Sequence, residues 1–198
     1  MSDSELPYRV INTQPTPNPD ALKFMMNKLV IKSGTKSFAS KEEAIGDVFA
    51  EALFGLSGVR NIYLSEDFVS VTKSMMEEWH DLVGPLQVAI EKKIKFYEEG
   101  DDPSKKDEIS ISPEDFFQRS NEEKAIVIDS LLNQKVRPAL AADGGGLIVH
   151  SVENHIVNIH YQGACGSCPS STSGTLKAIE GILQKSLGPE IRVHTAVI

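Results

Sequence analysis

The chain has 198 residues, of which 40% are hydrophobic and 24% charged, the composition of an ordinary globular protein long enough for one large or two small domains. No apolar run approaches the roughly 20 residues that a membrane-spanning helix needs, so no membrane partner is expected. The net charge of −8 lies wholly in residues 1–118, because 119–198 hold seven basic and seven acidic residues, and neither part offers the basic footprint of a nucleic-acid partner.

The first ten residues, MSDSELPYRV, contain two acids, one Arg and no apolar core. That reading argues against a secretory or transit segment and gives an expected cytoplasmic location. Strands are expected at 8–13 and 22–26, flanking the turn-forming PTPNPD of 15–20. Ser40 and Glu43 have the spacing of a capping box, opening a helix that carries Ala44, Ile45, Val48, Phe49, Ala52 and Leu53 and stops at Gly55 and Gly58. Strands at 59–64 and 68–72 follow around a turn at 65–67. Ser74 and Glu77 repeat the capping pattern before a second helix running towards Tyr97, with Pro85 expected to restart or kink it. Met25, Met26, Met75 and Met76 read as core or cap residues, and Trp79 as packing.

Residues 97–110, YEEGDDPSKKDEIS, are charged and nearly devoid of apolar side chains. They mark an acidic linker, and the expected organisation is a first domain at 1–97, a linker at 98–111 and a second domain at 112–198. In the second domain Ser112-Pro113-Glu114 opens a short helix. Ser120 and Glu123 cap a longer one, with Ile126, Leu131 and Leu132 on its buried side. Asp143-Gly144-Gly145-Gly146 reads as a helix-to-strand turn, since the spacing fits neither a dinucleotide fingerprint nor a P-loop. Strands at 147–152 and 155–161 form a hairpin through Glu153-Asn154. A helix follows the cysteine loop with Leu176, Ile179, Ile182, Leu183 and Leu187 on one face, and a last strand spans 191–197. The expected fold class is α/β (α+β): two small domains, each a short, mostly antiparallel sheet packed with helices.

The two cysteines, Cys165 and Cys168, sit in GACGSCPSS. Gly163 and Gly166 allow a turn tight enough to point both thiols to one place. Pro169 suits the first position of a helix, whose N-terminus favours thiolate and anionic charge. In a chain without an export signal, C-x-x-C spacing reads more readily as a metal or redox site than as a structural disulfide. Structural zinc and the common iron–sulfur clusters take four ligands, and one chain supplies two thiols. The missing pair could come from histidines, carboxylates or a second chain. His150, His155 and His160 lie on the expected hairpin, where His155 and His160 are an odd number of residues apart on one strand and so face opposite ways, and His194 lies in the last strand at no recognised ligand spacing. A second copy across a twofold axis is the economical source. A thiol–disulfide oxidoreductase and a zinc-bridged interaction module remain open as alternatives.

KVRPALAADGGG (135–146), the hairpin and QGACGSCPSS (162–171) closely resemble the C-terminal domain of NifU-like, Nfu-type proteins. PTPNPDALKF (15–24), GVRNIYLSEDFVSVTK (58–73) and Trp79 resemble the N-terminal domain of the same family. The resemblance implies a non-enzymatic iron–sulfur scaffold or carrier, in which Cys165 and Cys168 of two protomers hold a 4Fe–4S cluster. It implies loading from an upstream assembly scaffold as donor, transfer to apo iron–sulfur proteins as recipients, and an N-terminal domain that serves partner contact rather than ligation. Gly146 departs from the family pattern, which often has an acid there, as does the wording of SGTLKA (173–178).

Overall fold

The computed structural model describes residues 6–100, 113–166 and 174–196. The chain divides into two compact units, Met1–Asp102 and Pro103–Ile198, and the fold is α+β as expected. Most of the expected linker, 101–111, lies outside the described residues. Residues 98–100 are tied to the first unit: Lys32 pairs with Glu98 at 3.1 Å, and the Gly100 N–H donates to the Ser33 carbonyl.

The first unit is a five-stranded, wholly antiparallel sheet in the order β1-β2-β5-β4-β3. Its strands are β1 (Val10–Pro15), β2 (Ala21–Met26), β3 (Thr35–Phe38), β4 (Val59–Ser65) and β5 (Phe68–Lys73). Helices α1 (Val48–Phe54) and α2 (Trp79–Lys93) join them. Phe24, Met26, Ile62, Leu64, Val69 and Val71 alternate along the strands and meet Phe49, Leu53, Leu86 and Ile90 of the helices in one buried core.

Several local expectations shift. β3 was not anticipated: TKSF is four residues with little apolar content and is held by its pairing with β4. The Glu43 N–H does donate to the Ser40 hydroxyl, but the Glu43 carboxylate accepts from the Ala39 N–H instead of Ser40, and the helix begins later. Gly46, at φ +90°, breaks the chain out of helical geometry, and the Asp47 carboxylate caps α1 by accepting from the Phe49 and Ala50 N–H groups. Ile45 and Val48 consequently lie exposed rather than in the core. α2 runs unbroken through Pro85, although it starts only at Trp79 and ends at Lys93. Ser74 accepts from the Met76 N–H in a tight turn before it, which leaves Met75 and Met76 exposed, neither core nor cap. Trp79 does more than pack. Its indole N–H donates to the Pro19 carbonyl at 2.9 Å, while Lys73 bonds Asp20 at 2.7 Å, so the PTPNPD connection is fastened twice at its C-terminal end.

The second unit contains α3 (Pro113–Phe116), α4 (Asn121–Lys135), α5 (Arg137–Ala142), β6 (Gly145–Glu153), β7 (Ile156–Gly163), α6 (Leu176–Leu187) and β8 (Arg192–Thr195). The capping box at Ser120 and Glu123 is complete. α4 turns Val127, Ile128 and Leu132 fully inward, with Ile126 and Leu131 half-buried beside them. Pro138, in the first turn of α5, marks the break between α4 and α5. The β6–β7 hairpin turns through Asn154 and His155, one residue later than expected, with Asn154 at φ +57°. His155 is therefore a turn residue and not on a strand. β8 pairs parallel to β7. A parallel pair cannot be joined by a tight turn, so the chain crosses over through α6 to reach β8. This β7–α6–β8 crossover places Cys165 just after β7, at the start of the connection towards α6.

Candidate functional site

The site is built at the end of the β6–β7 hairpin where β7 stops. Gly163, the last residue of β7, has φ +60°, and Gly144, just before β6, has φ +78°. Both values are easy for glycine and costly for other residues. The Gly166 N–H donates to the Gly163 carbonyl at 3.1 Å, and the Ala164 N–H donates to Gly144 at 3.2 Å. These bonds turn the chain back so that Cys165 packs into the second unit's core, 4% exposed.

Gly145 forms the floor beneath the thiol. It lies opposite Gly163 in the hairpin register. A Cβ at Gly145 would stand 2.6 Å from the Gln162 carbonyl oxygen and 2.7 Å from both the Cys165 N and Sγ atoms. Only a glycine leaves room for the cysteine backbone and sulfur to lie this close. The DGGG segment is thus more than the turn expected from the sequence, because its middle glycine shapes the seat of Cys165.

Arg137 braces the same strand. Its Nε donates to the Leu147 carbonyl at 3.1 Å, and its two terminal nitrogens reach Asn133 Oδ1 and Asp129 Oδ1, each at 2.5 Å. The Arg137–Asp129 pair is almost buried, so its charges depend on each other and on these hydrogen bonds. α4, α5 and the start of β6 are thereby held as one support two residues from Gly145.

Tyr161 completes the surroundings. It is 7% exposed, and its hydroxyl is buried with no hydrogen-bond partner among the described residues. Leaving such a group unsatisfied costs about 1–3 kcal/mol. Burial, and secondarily the negative charge that Cys165 can carry, push its pKa up to about 12. The phenol therefore keeps its proton at neutral pH and remains a donor.

Of the two expected ligands, Cys165 is placed as described, whereas Cys168 lies outside the described residues, as does the Pro169 helix start. Backbone at Thr175 is already helical before α6. His150, His155 and His194 are exposed and His160 is half-buried. Among the described residues no group of three or more His, Cys, Asp or Glu is arranged to hold a metal ion. Sequence reasoning passed over Gly145, Tyr161 and Arg137 as site residues. Tyr161 could have been found from strand alternation, since it shares the inward parity of Val157 and Ile159 and lies four residues before Cys165.

Cys165 is a buried thiol seated on a glycine, on the hairpin face that also carries a buried hydroxyl with no partner among the described residues, and the class of chemistry such a thiol suits is thiolate-based binding. Comparison with known proteins narrows this class. The family model "Scaffold protein Nfu/NifU N terminal" matches residues 11–96, and "NifU-like domain" matches residues 128–194. The human protein named NFU1 iron-sulfur cluster scaffold homolog, mitochondrial, is 33% identical over 178 residues, covering 89% of this chain and 68% of its own. NifU-like protein 4, mitochondrial, of Arabidopsis thaliana is 31% identical over 175 residues, covering 87% and 61%. The chain thus spans about three fifths to two thirds of the length of these relatives. A solution structure of a NifU-like protein from Saccharomyces cerevisiae aligns at 23% identity with a TM-score of 0.39, covering 46% of this chain and 82% of that one.

The chain belongs to the NifU-like family of scaffold proteins, with an N-terminal Nfu domain and a C-terminal NifU-like domain. The expected cytoplasmic location is corrected by the same comparison, since the relatives matched over most of the chain are named as mitochondrial proteins. The composition of ten N-terminal residues was too little to decide location.

Proposed function

We propose that this protein is a carrier of iron–sulfur clusters, holding one 4Fe–4S cluster between two copies of the chain through Cys165 and Cys168 of each and passing it to apo iron–sulfur proteins. The observation that carries this reading is the seat of Cys165: a thiol held against Gly145 at the end of β7, with a buried hydroxyl donor on the same face of the hairpin and no partner for that donor among the described residues. The seat fits a soft, anionic, thiolate-ligated cargo. Thiolates are the usual ligands of such clusters, four per cluster, and one chain supplies two. Two protomers related by a twofold axis supply the set.

Each residue then has a task. Cys165 and Cys168 ligate as thiolates. Gly145 and Gly163 let the backbone bring Cys165 to the hairpin end, and Arg137 holds β6 in place beneath it. Cargo divided between two chains is released stepwise, as a recipient's thiolate replaces one protomer's cysteine at a time, with no bond made or broken in a substrate. The chain acts by holding and handing over, not as an enzyme. The names of the relatives support an iron–sulfur role, and an upstream assembly scaffold would be the donor.

The test is transfer. Protein loaded anaerobically with iron and sulfide is mixed with an apo-protein bearing a four-cysteine cluster site, and the recipient is re-isolated. The expected result is a cluster on the recipient and an empty donor, with the Cys165→Ala and Cys168→Ala variants retaining no cluster to give. A protein that takes up no iron, stays colourless and reversibly forms an intramolecular Cys165–Cys168 disulfide would establish the thiol–disulfide oxidoreductase reading instead.

A further inference from the structure

We infer that Tyr161 is a positioning residue for the bound cargo, its hydroxyl donating a hydrogen bond to the sulfur of Cys165 when that sulfur is a metal-bound thiolate. The inference rests on the cluster-carrying reading of the site and names a residue outside the C-x-x-C pair.

The geometry is set by the hairpin. Tyr161 lies directly opposite Leu147, and Gly145 directly opposite Gly163. Gly145 and Leu147 are two apart on β6 and so present to one face, the face to which Tyr161 also points. A Cβ built on Gly145 on that face would collide with Cys165 Sγ. The sulfur therefore sits on the same face and at the same end of the hairpin as the Tyr161 side chain, and both residues belong to one buried cluster. The return of the chain through Gly166, whose own Cβ would come within 3.3 Å of the Tyr161 carbonyl, fixes this proximity. The hydroxyl is buried and has no partner among the described residues. A phenol donor that has no hydrogen-bond partner among the described residues and lies on the face that holds a sulfur finds its natural acceptor there once that sulfur gains negative charge on ligation. Hydrogen bonds to ligand sulfur raise the reduction potential of iron–sulfur sites and orient the ligand.

The variant is Tyr161→Phe, which removes only the oxygen. Three measurements on purified full-length protein decide the matter: thermal stability of the apo form, midpoint potential of the reconstituted form, and the rate at which a chelator strips its iron. The apo variant is expected to be at least as stable as the parent, since an unsatisfied group is removed. The loaded variant is expected to show a more negative potential and iron loss about tenfold faster, the lower end of the effect of removing a second layer of support around a metal ligand. Opposite signs in the apo and loaded forms are what a purely structural tyrosine would not produce. Unchanged potential and unchanged iron loss in a loaded variant overturn the inference and leave the carrier reading intact. An apo variant that fails to fold overturns it too, because the hydroxyl must then have a structural partner. A parent protein that binds no iron and sulfide removes both.

Discussion

The two units use the same materials, a small sheet covered by helices, and differ in how their strands are connected. In the first unit every pair of strands is antiparallel, and its special polar contacts serve to fasten the fold. Asp47 caps α1 and receives the Tyr97 hydroxyl and the Lys95 ammonium, and Asp20, Lys73 and Trp79 tie down the proline-rich connection. In the second unit β7 and β8 are parallel, so the chain must leave the end of β7, cross through α6 and return. That crossover begins at the end of β7, two residues before Cys165. The proposed ligand Cys165 thus falls in the unit with the parallel crossover, at the point where the chain leaves β7.

The sharpest way to break this comparison is to fill the floor of the site. Gly145→Ala sets a methyl 2.6–2.7 Å from three atoms, two of them backbone, which cannot swing aside as a flexible side-chain tip could. We expect a loss of about 1–3 kcal/mol in urea unfolding, the usual cost of overpacking, together with reduced iron and sulfide uptake because Cys165 is displaced. A variant with full stability and full uptake would show that the close approach of Gly145 and Cys165 does not matter.

A change in the first unit should separate stability from loading. Asp47→Asn keeps a capping side chain but removes its charge, for an expected loss of about 1–2 kcal/mol, with iron and sulfide uptake per folded chain unchanged. Burial alone would raise the Asp47 pKa, but hydrogen bonds from Lys95, the Ala50 N–H and Tyr97, with the charge of Lys95, carry it below the ordinary Asp value. A depressed carboxylate stabilises the fold at pH above its unfolded pKa, and that contribution disappears as the pH falls through the folded one. The gap in melting temperature between parent and variant should therefore be full at neutral pH and close under acid conditions. A gap that widened in acid would contradict the assignment.

Much of this was legible in the sequence where the signal is local. The Ser120–Glu123 capping box and the inward stripe of α6 both follow from spacing within a turn or two of one helix. The parts that were not legible depend on partners far along the chain. β3 is a strand because β4 lies beside it, and α1 starts late because Gly46 takes a positive φ and Asp47 offers a better cap than Ser40. The parallel pairing of β8 with β7 leaves no trace in periodicity. Gly145 was read as a turn glycine because its true constraint, the backbone and sulfur of Cys165, lies twenty residues away and is brought near only by the hairpin register. Tyr161 looked like any strand tyrosine until the hydroxyl proved buried and unpartnered among the described residues.

The central claim is that two chains share one cluster through two cysteines each, and native mass spectrometry of the anaerobically reconstituted protein tests it most directly. The account predicts a dimer whose added mass corresponds to four irons and four sulfides, falling to two bare chains when the cluster is removed. A complete cluster carried by a single chain, or a dimer of equal abundance with no iron or sulfide, would contradict it.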